Sequence, residues 1–161
     1  MEHHHGQAGA MSPYRKHALM TATSTVVMFG LMYLNTYQAD HIFFSQTRAW
    51  MAVVMGAVMS VLMLVFMWKM YPDKSTNLMI LAGSALAFAV ALYLVRSQST
   101  VDDVSYMRAM IPHHSIAILT SSRARISDPR VRKLADGIIA TQKKEIGEMK
   151  QLIADLEGQQ R

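Results

Sequence analysis

The stretch AWMAVVMGAVMSVLMLVFMW, residues 49–68, is 20 residues long and contains no charged side chain. A helix needs about 20 predominantly apolar residues to cross the hydrocarbon core of a bilayer. Two further uncharged runs flank it, residues 18–34 and residues 78–95. Aromatic side chains stand near the ends of these runs, which is typical of the membrane–water interface. Three such runs predict an all-α integral membrane protein rather than three core helices of a soluble domain.

The composition excludes several kinds of site and partner. It has 161 residues, 52% of them hydrophobic, with 15 methionines and no cysteine, which excludes disulfides and thiolate metal sites. The formal net charge is +5, but no basic stripe with interleaved aromatic residues indicates nucleic-acid binding. We therefore expect no nucleic-acid partner and expect the basic residues to contact lipid headgroups. No nucleophile–base pair or phosphate-binding loop indicates an enzyme.

The chain divides into a polar start at residues 1–17, three predicted spans within residues 18–96, and a charged, helix-forming segment at residues 97–161. The first span is not followed by a small-residue cleavage site, so we expect it to be retained. Basic residues favour the cytoplasmic side of a membrane. Four lie near the spans on the side of the N-terminus and three on the opposite side: Arg15, Lys16, Lys69 and Lys74 against Arg48, Arg96 and Arg108. This balance places the N-terminus in the cytoplasm and the C-terminal segment in the periplasm, at a bacterial inner membrane.

The C-terminal segment predicts a helical hairpin. Asp102 or Asp103 can cap its first helix, and the sequence SDPR predicts the start of the second, with Asp128 as N-cap and Pro129 in the first position. Apolar residues recur along the second helix at alternating spacings of four and three, as in a packed bundle. Two helices alone leave a face uncovered, so we expect a homodimer, or a higher even oligomer, that forms a four-helix bundle.

The stretch SYMRAMIPHHSIAIL, residues 105–119, places two methionines and paired histidines in the first hairpin helix. At about 100° per residue, Met107, Met110 and His114 fall on one face. His113 points about 100° away from His114, toward a neighbour or water. A lone histidine on such a face is usually a hydrogen-bonded core residue. Two thioethers beside His114 favour a metal site instead.

The facing helix carries polar residues on its apolar side. Gln142 lies near the middle of that side and Glu145 near its edge, with Met149 beyond them. In one interpretation Gln142 fixes the register of the bundle and Glu145 reaches solvent. In the other, both belong to a metal site. Pro112 removes one backbone hydrogen bond beside the histidines, and a bend there would aim His114 at this stretch.

The ligand types select the metal. Thioether sulfur and imidazole without thiolate suit Cu(I), and by extension Ag(I), whereas zinc prefers cysteine, histidine and carboxylate. A ferritin-like di-iron site needs Glu-x-x-His on two helices. Here Glu145 is followed at the third position by Glu148, and no histidine occurs after His114. Metal oxidation at a di-iron centre therefore lacks ligands, and copper is the expected metal.

The same region resembles a known family. The stretches DDVSYMRAMIPHHSIAI and DPRVRKLADGIIATQKKEIGEM are similar to the pattern of domain of unknown function 305, over about residues 101–156. The resemblance implies a ferritin-like helical bundle and, as for several members, periplasmic copper binding and copper resistance. It implies five candidate ligands, namely Met107, Met110, His113, His114 and Met149. Three further residues match family positions and would bind metal or support the ligands: Asp103, Gln142 and Glu145.

Two positions depart from the family pattern. Thr120 stands six residues after the second histidine, where the family usually has methionine. Ser115 follows the histidines, where the family often has an acidic residue. A ligand set that used either position would be incomplete in this chain.

Other methionines and histidines have simpler explanations. A series in the central run recurs every fourth residue: Met51, Met55, Met59, Met63 and Met67. A four-residue step drifts about 40° around the helix each time, which favours packing over a thioether path for Cu(I). His3 could bind Cu(II) with a free amino terminus, or residues 3–5 could be the remainder of an expression tag. Asp40 and His41 in the first loop could help to collect metal, but loop solvation is the favoured explanation.

These observations predict a membrane-anchored protein that binds or buffers Cu(I), or else Ag(I) or Cu(II), in copper handling or resistance. Its copper-handling partner is not identified by the sequence. The alternative is a structural membrane protein whose C-terminal hairpin is a dimerisation or partner-interaction module without a metal site.

Overall fold

The computed structural model describes residues 11–159, in which every regular element is a helix. Five α-helices follow one another: α1 Pro13–Leu31, α2 Gln46–Phe66, α3 Lys74–Ser97, α4 Asp103–Arg123 and α5 Pro129–Gln159. Short 3-10 helices at Ala39–His41 and Trp68–Met70 lie in the first two connections. Helix α2 packs on both α1 and α3, and α4 packs on α5. The predicted all-α class and the C-terminal hairpin are confirmed.

Acidic N-caps begin both hairpin helices, as the sequence predicts. Asp102 accepts a hydrogen bond from the Ser105 N–H at 2.7 Å, and Asp128 accepts one from the Arg130 N–H at 2.8 Å. These bonds satisfy backbone donors that have no partner within the first turn. They also hold the carboxyl pKa values below the ordinary value, through the Ser105 backbone bond at Asp102 and chiefly through the Arg130 side chain at Asp128.

Two helices, α2 and α3, are long and apolar enough to cross a membrane. Helix α1 is not one of them, because it includes Arg15 and Lys16 and ends at Leu31. Residues 18–31 alone remain uncharged within it, which is shorter than the roughly 17 residues at the low end for a span. The chain turns after Leu31 instead of continuing as the sequence analysis expected. The prediction of three spans is thus supported for α2 and α3 and not for α1.

Small residues bring α1 and α2 close together. Ala52, Gly56 and Ser60 are all buried on α2. A Cβ atom on Gly56 would overlap Oγ1 of Thr25 on α1, so a side chain at this crossing would force Thr25 to move. Close backbone approach at small residues is the usual packing mode of helices in lipid.

The connection between α1 and α2 also packs on the hairpin. Tyr37 and Phe43 from this connection contact the hairpin core, which is built from five buried side chains: Met107, Ile111, Ile118, Ile146 and Ile153. Ser115 of α4 is fully buried and accepts a hydrogen bond from the Tyr37 N–H at 2.7 Å. The hairpin is therefore held beside the end of the bundle where α1 finishes and α2 begins.

Candidate metal centre

A cavity of about 700 Å³ opens between α4 and α5, and we call it the hairpin cavity. Soft and acidic donor groups line it together: the thioethers of Met107, Met110 and Met149, the imidazole of His114, and the carboxylates of Asp103, Glu145, Glu148 and Asp155. Helix α4 continues through Pro112, which is buried, so the proline does not end the helix beside this lining. The cavity brings the predicted thioethers of both helices to one place.

His114 is held in one orientation by hydrogen bonds at both ring nitrogens. Its Nδ1 lies 2.9 Å from the carbonyl oxygen of Met110, one turn earlier on α4. A carbonyl only accepts, so Nδ1 carries a hydrogen. The Nε2 atom lies 2.8 Å from Oε2 of Glu145 on α5. Anchoring Nδ1–H on a backbone carbonyl and presenting Nε2 is the arrangement typical of metal-binding histidines.

The contact between His114 and Glu145 contains one proton. With Nδ1–H committed to Met110, the Nε2···Oε2 bond requires either an imidazolium beside a carboxylate or a neutral imidazole beside a carboxylic acid. The His114 side chain is 12% exposed and that of Glu145 is 44% exposed. A metal ion bound at Nε2 would take the place of this proton and release it.

The remaining predicted ligands lie elsewhere. His113 is exposed and does not line the hairpin cavity, and its ring centroid lies 6.0 Å from that of His114. The two rings thus point in different directions, as their helical phase predicts. Gln142 lines a separate surface hollow with Arg130 and Lys133, near the start of α5. Asp103 and Glu145 do line the hairpin cavity.

His41 is buried away from the hairpin cavity. Its Nδ1 lies 2.9 Å from Oγ of Ser115, and burial lowers the pKa of its ring, against the opposing effect of Asp40. His41 therefore ties the first connection to α4 and does not line the hairpin cavity. His3 lies outside the described residues.

The methionines of α2 do not share one environment. Met51 and Met59 are exposed, whereas Met55, Met63 and Met67 are half-buried. This scatter is what the 40° drift of a four-residue step produces. The series therefore covers several sides of α2, as packing or lipid-facing side chains would.

The two departures from the family pattern have structural explanations. Ser115 sits in a fully buried position with hydrogen bonds to the first connection, where a carboxylate would lose its hydration. The hydroxyl of Thr120 is exposed and donates to carbonyls of its own helix, at 3.0 Å to Ile116 and 3.2 Å to Ala117. Neither residue lines the hairpin cavity.

Six lining residues were not predicted as site residues: Tyr106, Glu148, Leu152, Asp155, Leu156 and Gln159. Glu148 and Asp155 follow Glu145 by three and ten residues, which places them on the same side of α5. Within residues 11–159, no group of three or more His, Cys, Asp or Glu side chains is arranged to hold a metal ion. A metal in the hairpin cavity would therefore depend on methionine sulfur for much of its ligand set.

Residues 103–161 match the family model described as Domain of unknown function (DUF305). An uncharacterized protein of Acanthamoeba polyphaga mimivirus is 42% identical over 66 residues, which are 40% of this chain and 43% of the viral protein. The chain thus spans less than half the length of this curated relative. No solved structure matches the chain. The hairpin of α4 and α5 is therefore a DUF305 domain, preceded in this chain by three further helices.

Proposed function

We propose that the protein binds Cu(I) as cargo in the hairpin cavity and is anchored to a membrane by its N-terminal helices. The observation that carries this proposal is the convergence of Met107, Met110, Met149 and His114 Nε2 on one cavity. Thioethers and imidazole suit Cu(I), and Ag(I) is expected to bind in the same way. Binding or buffering of copper, rather than a chemical conversion, is the role that these side chains support.

The carboxylates of the hairpin cavity fit this role as supporting groups. Glu145 already holds the Nε2 side of His114, and its negative charge would offset that of a bound cation. Asp103, Glu148 and Asp155 add negative charge around the cavity, which would attract a cation. Carboxylates are hard ligands that could also bind Cu(II). The thioethers favour Cu(I).

Anchoring follows from α2 and α3, whose length and composition suit a bilayer. The hairpin packs on the connection between α1 and α2, so the two would share one side of the membrane. We place that side in the periplasm of a bacterium, with the N-terminus in the cytoplasm, which requires the short helix α1 to cross the bilayer together with α2 and α3. A copper-handling partner would reach the cavity from that side.

A homodimer would complete the bundle. Tyr106 and Leu152 line the hairpin cavity, yet they are 55% and 45% exposed. A second copy packed against this face would cover them and form a four-helix bundle. We therefore propose that the protein is a homodimer joined through this face.

A structural role without metal is the second candidate function. It is favoured by the docking of the first connection on α4 through Ser115 and His41, and by the ion pair of Asp40 with Lys150 at 2.7 Å. These contacts give the hairpin a packing role beside the membrane helices whether or not it binds metal. In that case the hairpin would serve dimerisation or partner binding.

Titration of the full chain in detergent with Cu(I), against a coloured Cu(I) chelator, separates the two functions. We expect His114→Ala and Met149→Leu to weaken binding by about tenfold or more, since each removes a soft ligand. His113→Ala and Met59→Leu are matched controls, because both side chains are exposed away from the hairpin cavity. Binding by the His113/His114 double alanine variant as tight as that of the parent would refute the metal site.

A further inference from the structure

A second cluster of polar side chains lies inside the bundle of α1, α2 and α3. His17 of α1 is only 4% exposed. Its Nε2 lies 2.9 Å from Oγ of Ser60 on α2, and its Nδ1 lies 3.3 Å from the hydroxyl of Tyr71 in the connection to α3. The hydroxyl of Ser84 on α3 donates to Oγ of Ser60 at 3.1 Å. One imidazole thus joins all three segments.

Both ring partners of His17 are hydroxyl groups, which is the property that sets it apart from His114. A hydroxyl can donate or accept, whereas the carbonyl beside His114 can only accept. With hydrogen on Nδ1, the ring donates to Tyr71 and accepts from Ser60. With hydrogen on Nε2, the two bonds reverse. With both nitrogens protonated, both hydroxyls accept. The surroundings therefore satisfy every protonation state of this ring.

A groove leads to this cluster from the surface of the bundle, and we call it the α1–α3 groove. It has a volume of about 250 Å³, and hydroxyl, small and apolar residues line it: Thr21, Thr25, Val53, Gly56, Ala57, Ser60, Gly83, Ser84 and Ala87. Within residues 11–159, Oγ1 of Thr21 is buried and has no hydrogen-bond partner. The lining is mostly apolar, but the hydroxyls of Thr21, Ser60 and Ser84 offer the two to four polar partners that a water molecule needs. Ser60 both lines the groove and contacts His17.

We propose that His17 is a reversible proton-binding site inside the helical bundle, loaded from water in the α1–α3 groove. A hydronium ion in the groove gives a proton to Oγ of Ser60, and the former hydroxyl proton of Ser60 passes to Nε2. The products are an imidazolium, an intact serine hydroxyl and a water molecule. The site is independent of the hairpin cavity and of copper.

The groups that face His17 supply hydroxyls but no counter-charge, and burial lowers the pKa of its ring below the ordinary histidine value. Tyr71 faces it from the α2–α3 connection, and the Tyr14 ring lies behind Tyr71 with centroids 5.4 Å apart. Helices α2 and α3 present Ser60, Ser84 and Asn77 to this cluster, none of which ionises. No ion pair of His17 occurs within residues 11–159. Burying an ionisable ring is costly, which makes His17 a candidate for function rather than for packing alone.

Protonation of His17 would also change the direction of a hydroxyl donor on the wall of the α1–α3 groove. In the imidazolium state Ser60 accepts from both Nε2–H and Ser84, so its own hydrogen must turn away from His17. The direction of a hydroxyl donor on the wall of the groove thus depends on the proton at His17. This links proton binding to the interior of the bundle of α1, α2 and α3.

Nitrogen NMR of the full chain in lipid nanodiscs, with ¹⁵N-labelled histidine, tests the proposal. A His17→Gln variant identifies the signals of the ring. Because burial lowers the pKa of this ring, we expect the parent to pass from one ring proton to two only below the ordinary histidine value, as the pH falls from about 7 to about 4. A ring that keeps a single tautomer throughout this range would show a purely structural histidine and overturn the proposal.

A matched pair of glycine variants tests the route. A Cβ on Gly83 or on Gly30 meets no atom within 4 Å, but only Gly83 lines the α1–α3 groove. Gly83→Leu should fill the groove and slow exchange of the His17 ring protons with water by about tenfold, whereas Gly30→Leu should not. Should Gly83→Leu fail to fold, Ala87→Leu fills the same groove. Exchange as fast in the filled variant as in the parent would refute entry through the groove.

Discussion

Oγ of Ser115 lies 2.9 Å from Nδ1 of His41, although the two residues are 74 positions apart in the chain. Ser115 also accepts the Tyr37 N–H, so one buried hydroxyl holds two points of the first connection against α4. This contact occupies the position next to His114. The orientation of the hairpin cavity relative to α1, α2 and α3 therefore depends on a side chain that does not line the cavity.

Replacing Ser115 should loosen this contact. Ser115→Ala leaves the buried Tyr37 N–H and His41 ring without their partner, which should cost about 1–3 kcal/mol of stability. Hydrogen exchange of the backbone at residues 37–41 should rise more than that of α5. Ser122→Ala is the control, because its exposed hydroxyl bonds only to Leu119 of its own helix. Equal protection of residues 37–41 in both variants would contradict the role given to Ser115.

The ion pair between Asp40 and Lys150 should contribute little and should respond to salt. The two side chains meet at 2.7 Å, but the Asp40 side chain is 64% exposed. Pairs of this kind stabilise by about 0–1 kcal/mol and are screened by salt. We therefore expect Lys150→Met to lower the melting temperature only slightly at low ionic strength and not at all at high salt. A large, salt-independent loss would contradict this expectation, because Met keeps most of the apolar stem of Lys150 and removes only its charge.

The pH dependence of this pair has a definite sign. The hydrogen bond from Lys150 is the main cause that lowers the pKa of Asp40 below its ordinary value. A carboxyl whose pKa is depressed by folding stabilises the fold above its unfolded pKa, and this contribution disappears as the pH falls through the folded pKa. The stability difference between the parent and Lys150→Met should hence vanish in acid and persist at neutral pH. A difference that grows in acid would have the wrong sign.

Periodicity and capping signals were sufficient to predict most of the fold. Asp102, Asp128 and Pro129 act within one helical turn, so their effects are visible in a short stretch of sequence. The helical phase of Met107, Met110 and His114 likewise predicts that they share a face. The first run was predicted to be helical, but the end of α1 was not, because an uncharged run need not be one helix and the chain turns after Leu31.

The contacts between distant segments could not be predicted. Nothing local to Ser115 or His41 indicates that they meet, since their pairing depends on the packing of the first connection on the hairpin. The polar cluster around His17 was not predicted for the same reason, because the partners of His17 come from α2 and the following connection. His113 was included as a ligand through the resemblance, whereas its helical phase had already placed it away from His114.

The crossing of α1 and α2 should tolerate no side chain at Gly56. A Cβ there would overlap Oγ1 of Thr25, and that hydroxyl is held by its bond to the Thr21 carbonyl. Gly56→Ala should therefore force the helices apart and cost about 1–3 kcal/mol. Gly83→Ala is the matched control, since its Cβ meets no atom within 4 Å. Thermal unfolding in detergent should show a lower melting temperature for Gly56→Ala alone, and the double change Gly56→Ala with Thr25→Ala should restore part of the loss.

Binding of Cu(I) should release a proton from the His114–Glu145 pair. The Nε2···Oε2 contact of 2.8 Å contains one proton that a metal at Nε2 must replace. Calorimetric titrations in buffers of different ionisation enthalpy should reveal about one proton released per ion bound by the parent. Glu145→Gln should release fewer protons, because a neutral amide does not stabilise an imidazolium, while Glu148→Gln, which changes another carboxylate of the hairpin cavity, should release as many as the parent. Equal proton release by the parent and by Glu145→Gln would mean that copper does not bind at Nε2 of His114. The thioethers would then bind it without the imidazole.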